Sequence, residues 1–86
     1  MQETVKQSKN DRINELKSKL DRELAPYQSK ESEIFKTGDT IYYYLYAKSI
    51  VSNEFFYRVL NLKLVITQIM YIPNENMILI EFRVTR

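Results

Sequence analysis

The 86-residue chain contains no cysteine and no histidine, a single glycine and only two prolines. Without cysteine there is no disulfide, no thiolate zinc site and no cysteine nucleophile. Without histidine the commonest general base and the commonest transition-metal ligand are missing as well. One glycine cannot build a glycine-rich phosphate loop. No cofactor, no metal and no catalytic residue is therefore expected. Long hydrophobic runs are also missing. The start, Met1-Gln2-Glu3-Thr4-Val5, has no apolar signal region, and the longest apolar run, Ile41 to Ala47, is far below the roughly 18 residues that span a bilayer. These absences predict a cytoplasmic protein that does not engage a membrane. Charge of one sign is scarce too: the net charge is +2, with eight basic and seven acidic residues over 1–36 and five and four over 37–86. Neither half is a polyelectrolyte.

Hydrophobic residues make up 44% of the chain and charged residues 28%, which fits an ordinary soluble domain and leaves room for one core only. Ten of the eleven aromatics lie from Phe35 onward, so that core belongs to the second part. Residues 1–33 read as a helical arm and linker and residues 34–86 as an antiparallel β unit, together one domain. A β unit this small needs help from the arm or from another subunit, which predicts a homo-oligomer or a protein partner. The abundance of Ile, Lys, Asn and Tyr suits an AT-rich genome, such as that of a low-GC bacterium, its phage or another mobile element.

From Gln2 to Ala25 there is no glycine or proline, and Ile13, Leu16, Leu20 and Leu24 recur at spacings of three, four and four. The spacing predicts a helix with one narrow apolar stripe. Pro26 ends it near Leu24. The polar stretch from Tyr27 to Glu33 reads as a linker or as a short second helix running to Lys36, with Gly38 as its stop. Thr40 to Tyr46 is β-branched and aromatic and predicts a strand, as do Glu54 to Leu60 and Leu62 to Ile72. The clearest pattern is Met77 to Thr85, with Ile78, Ile80, Phe82 and Val84 on one face and Leu79, Glu81, Arg83 and Thr85 on the other. The expected fold class is α+β: an N-terminal helix, with a short second helix as an option, followed by an antiparallel meander of three to five strands that could curl into a small barrel.

The turn Pro73-Asn74-Glu75-Asn76 pairs Ile72 with Met77. Counting back, Tyr71 meets Ile78, Ile69 meets Ile80, Thr67 meets Phe82 and Val65 meets Val84. The opposite face then carries Met70 with Leu79, Gln68 with Glu81 and Ile66 with Arg83. That face needs a cover, and the arm's stripe is the nearest one. The chain thus reads as a non-enzymatic protein-interaction module, associating with itself or with a protein partner. Its contact residues would be Ile13, Leu16, Leu20 and Leu24 on the arm, and Tyr42, Tyr44, Tyr46, Ile66, Met70 and Leu79 on the sheet.

An alternative is a small nucleic-acid-binding module in which Lys48, Arg58, Lys63, Arg83 and Arg86 neutralise phosphates while exposed tyrosines stack on bases. Over residues 54–86 the chain also resembles the small ribosome-dependent RNase toxins of the RelE family, through Tyr57-Arg58 in a strand and the basic end at Arg83 and Arg86. It departs from that family in lacking the strand that precedes the helices. The segment Phe35-Lys36-Thr37-Gly38-Asp39-Thr40-Ile41 looks like the first turn and strand of Src-homology-type small barrels, a resemblance that implies peptide or nucleic-acid binding.

Overall fold

The computed structural model describes residues 2–48 and 52–85, with side chains from residue 12 onward. The first helix, α1 (Gln2–Leu24), stops where Pro26 removes an amide donor and disfavours helical geometry at Ala25. A 3-10 turn, Ala25–Tyr27, leads into β1 (Gln28–Thr37), which forms a hairpin with β2 (Thr40–Lys48). The two-residue connection places Gly38 at φ 60°, a conformation that costs glycine little. Then come α2 (Asn53–Asn61), β3 (Leu64–Ile72), a 3-10 turn at Pro73–Glu75 and β4 (Met77–Val84). The four strands form one antiparallel sheet in the order β1-β2-β4-β3. The fold is α+β with the helix first, as its sequence predicts, and the sheet stays open rather than closing into a barrel. The long connection between β2 and β3 carries a helix, so the two hairpins are joined by a crossover.

Two segments differ from the sequence expectation. Residues 28–36, expected as a linker or short helix, form most of edge strand β1. Only Ser32 is buried along that strand, and polar composition suits an edge that faces water. Glu54 to Leu60, expected as a strand, lies in α2. Its β-branched and aromatic composition points to a strand, but Phe55, Val59 and Leu62 recur at spacings of four and three, the helical period. Phe55 and Val59 are buried and Leu62 leans on the core, so burial of that stripe outweighs the small intrinsic propensities. The helix closes with Lys63 at φ 58°, its amide donating to Leu60 O at 3.0 Å.

The Pro73–Asn76 turn sets the register expected near it: Ile72 pairs with Met77, Tyr71 with Ile78, Met70 with Leu79 and Ile69 with Ile80. Further on, a β-bulge between Ile66 and Gln68 shifts the ladder by one residue. Ile66 therefore meets Phe82, Val65 meets Arg83 and Leu64 meets Val84, in place of the pairs expected from uninterrupted alternation. The shift turns Leu64 and Ile66 to the same face as Phe82 and Val84, where Leu64 is buried. Ile66 thus belongs to the core side, not to the opposite face assigned from alternation.

Both helices pack on one face of the sheet, leaving Ile69 and Tyr71 of β3 exposed on that face. Leu20 and Leu24 of α1 and Phe55 and Val59 of α2 join Tyr43, Leu45, Ile80 and Phe82 in a single buried cluster. Tyr27 meets Phe55 edge to face at 5.1 Å, and Phe55 lies 6.3 Å from Phe82. Arg58 links the helices by donating from Nη1 to Glu23 O at 3.1 Å, satisfying a carbonyl in the last turn of α1. The arm's stripe therefore covers the Ile80–Phe82 side, not the Met70–Leu79 side. On the chosen side every β2 and β4 position is apolar apart from the Tyr43 hydroxyl. The other side carries Glu81 and Arg83, whose charges a helical apolar stripe could not satisfy.

Candidate interaction surface

The arm is held on the sheet by one polar cluster. Asp21 of α1 accepts hydrogen bonds from the Ser32 hydroxyl, from the Tyr43 hydroxyl at 2.5 Å and from Lys17 Nζ at 3.0 Å. Burial by itself would raise the Asp21 pKa, but the donors outweigh it and hold the carboxyl below its ordinary value. Burial and then the same hydrogen bond push the Tyr43 hydroxyl up. Three elements meet at this carboxylate, and every donor is directed inward, so the cluster fixes where α1 sits.

With the helices on one side, the reverse side of the sheet is left uncovered by the described residues. Its side chains fall in four rows across the strand order, the fourth of them Lys48, Met77 and Ile72 at the Pro73 end. The first is Phe35, Tyr42, Arg83, Val65; the second is Glu33, Tyr44, Glu81, Gln68; the third is Lys30, Tyr46, Leu79, Met70. Phe35, Val65 and Met70 are 52%, 39% and 48% exposed, large values for apolar side chains on a sheet. At strand spacings of about 4.8 Å and a rise of about 3.4 Å per residue, the surface spans roughly 500 Å² in projection.

Its polar groups are ordered by each other. The Tyr44 hydroxyl donates to Glu81 Oε2 at 2.6 Å, and Thr67, the bulge residue, donates to Glu81 Oε1 at 2.7 Å. These two donors hold the Glu81 carboxyl below its ordinary value. The bond to Glu81, then burial and the carboxylate charge, push the Tyr44 hydroxyl up to about 12. Phe35 lies edge to face on Tyr44 at 5.5 Å. Lys30 Nζ sits 4.5 Å above the Tyr46 ring and 3.4 Å from Glu75 Oε1. The aromatic surface is therefore preordered before anything binds it.

Of the contact residues expected from sequence, Tyr42, Tyr44, Tyr46, Met70 and Leu79 come together here, while Ile66 faces the helices. On the arm, Leu20 and Leu24 are buried in the chain's own core, Leu16 leans on it and Ile13 is half-buried. Sequence reading missed Phe35 and Val65: the first was placed before the strands, and the second was turned inward by the unrecognised bulge.

The basic residues do not converge. Lys48 and Arg83 stand at opposite ends of the open face, about 20 Å apart along β4. Arg58 lies in the helical layer, paired with Glu23 and Glu54, and Lys63 sits at the α2–β3 junction. Arg86 lies outside the described residues. Tyr57 and Arg58 are in a helix rather than a strand, away from the face that carries Arg83. Among the described residues no group of His, Asp and Glu could hold a metal ion, and no helix is long and apolar enough to cross a membrane. Comparison with protein-family models, with curated proteins and with solved structures finds no match for this chain.

Proposed function

We propose that this chain is a non-enzymatic, cytoplasmic protein-interaction module whose contact surface is the open face of its sheet. The observation that carries the reading is a row of three tyrosines on β2, flanked by exposed Phe35, Val65 and Met70, on the side that neither helix covers. Tyrosine offers a large contact area at low entropy cost, and a sheet holds it rigidly. A protein occupant suits this surface better than nucleic acid, because Glu33 and Glu81 occupy its middle row, where phosphates would have to pass.

The arm has a different part from the one its stripe suggests: it completes the core, and so leaves association to the sheet. The test is gel filtration of the tagged chain from native lysate, beside a Phe35→Lys/Met70→Lys variant. The native chain is expected in a species well above its 10.4 kDa, and the variant as a folded monomer. A native chain that elutes as a monomer overturns the reading.

A further inference from the structure

We infer that the occupant of the open face is a second copy of the same chain, seated face to face about a two-fold axis that runs along the strands between β2 and β4. This rests on the interaction reading above and names its partner. Rotation about such an axis sets β1 opposite the partner copy's β3, and β2 opposite its β4. Each row then meets itself in reverse.

The consequences can be read from the strand register. In the first row Phe35 faces Val65 and Tyr42 faces Arg83 of the other copy, an apolar pair and a cation over an aromatic ring. In the second row Glu33 faces Gln68, whose amide can donate to it, and Tyr44 faces Glu81, a carboxylate that already accepts from Tyr44 and Thr67 of its own chain. In the third row Tyr46 faces Leu79, and the aliphatic stem of Lys30 faces Met70. No charge in these rows stands directly opposite a like charge, and every row contributes contacts on both sides of the axis.

One two-fold axis across the strands fails this check. Set between the second and third rows, it turns β2 and β4 onto their own counterparts and brings Glu81 against the Leu79 side chain of the other copy, leaving a desolvated carboxylate on an apolar group. Sheets stacked face to face lie about 10 Å apart with strand directions within about 30°, so the axis lies within about 15° of the strands. The result is a β-sandwich between two outer helical layers.

The test uses two positions that are far apart in one chain and opposed across the dimer. Phe35 and Val65 stand on the two edge strands, about 14 Å apart in the same sheet at three strand spacings. Sedimentation equilibrium of the purified chain is expected to give twice the 10.4 kDa chain mass. Phe35→Glu should weaken the dimer at least about tenfold in Kd, and Phe35→Glu/Val65→Lys should recover it to within about threefold, because each new carboxylate then meets a new ammonium.

The chain has no thiol of its own, so single Phe35→Cys and Val65→Cys chains can be mixed and treated with a short bis-maleimide. A mixed cross-link that neither chain forms by itself supports the axis. A monomer at every concentration, self-cross-linking of Phe35→Cys, or a double variant as weak as Phe35→Glu overturns the inference. A chain that is monomeric when pure but travels in a larger complex in lysate overturns the second copy and leaves the interaction-module reading standing. A monomer in both overturns the two together.

Discussion

At the scale of single residues the most consequential side chain is Asp21, a carboxylate that burial penalises and three donors rescue. Replacing it by alanine removes the charged acceptor that the Ser32 and Tyr43 hydroxyls share, and should cost about 1–3 kcal/mol in urea unfolding at pH 7. The pH dependence follows from the depressed pKa. A carboxyl that ionises more readily in the folded state contributes stability that is fully present above the unfolded value of about 4 and is lost as pH falls through the lower folded value. The stability gap between the native chain and Asp21→Asn should therefore hold steady at neutral pH and narrow below about pH 4. A gap that widens on acidification would contradict the hydrogen bonding described. On the open face, Glu81→Gln should return the Tyr44 hydroxyl from about 12 towards the ordinary tyrosine range near 10, read as one tyrosine ionising earlier in an alkaline absorbance titration.

At the scale of elements, α2 and the β3 bulge carry the clearest expectations. Adjacent Phe55 and Phe56 separate the two sides of the helix, the first fully buried and the second 40% exposed. Phe55→Ala should cost about 3–5 kcal/mol and Phe56→Ala well under half of that, a contrast that chemical denaturation resolves. The bulge allows a sharper test by deletion. Removing Thr67 leaves Ile66 opposite Phe82 and Gln68 opposite Glu81 in an unbroken ladder, so the fold should survive with the loss of the Thr67–Glu81 hydrogen bonds. Removing Val65 instead forces Leu64 or Ile66 to the open face and should unfold much of the chain. Circular dichroism of the two deletions, each one residue shorter, compares them directly.

At the scale of the whole molecule, the arm is part of the core and not an appendage. Leu20 and Leu24 are almost completely buried, so each changed to alanine should cost about 2–5 kcal/mol. A small domain holds only about 5–15 kcal/mol in total, so Leu20→Ala/Leu24→Ala is expected to lack a cooperative thermal transition. The molecule measures 46 × 28 × 23 Å with a radius of gyration of 13.8 Å. A compact chain of this length would have a radius near 12 Å, and a 23-residue helix by itself is about 35 Å long. The elongation comes from α1, whose contacts with the core among the described side chains begin at Leu16. The open face lies on the side away from α1, so two copies could meet there without the arms colliding.

Several features were determined by the sequence alone, because they depend on local sterics and on unbroken periodicity. Pro26 stops α1 whatever surrounds it, Gly38 turns the first hairpin, and the four residues from Pro73 to Asn76 set Ile72 against Met77. The alternation of β4 fixes which of its side chains share a face. Other features were decided only by tertiary structure. Residues 28–36 are polar enough to be a linker and become a strand because β2 offers a free edge, while Glu54 to Leu60 has strand-like composition and becomes a helix because Phe55 and Val59 find a common pocket. The bulge at Thr67 and the choice of face for α1 have the same origin. Local preferences of a few tenths of a kcal/mol per residue give way when burying Leu64 or Leu24 is worth about 1.5–3 kcal/mol each, and the uncovered tyrosine face is what that choice leaves behind.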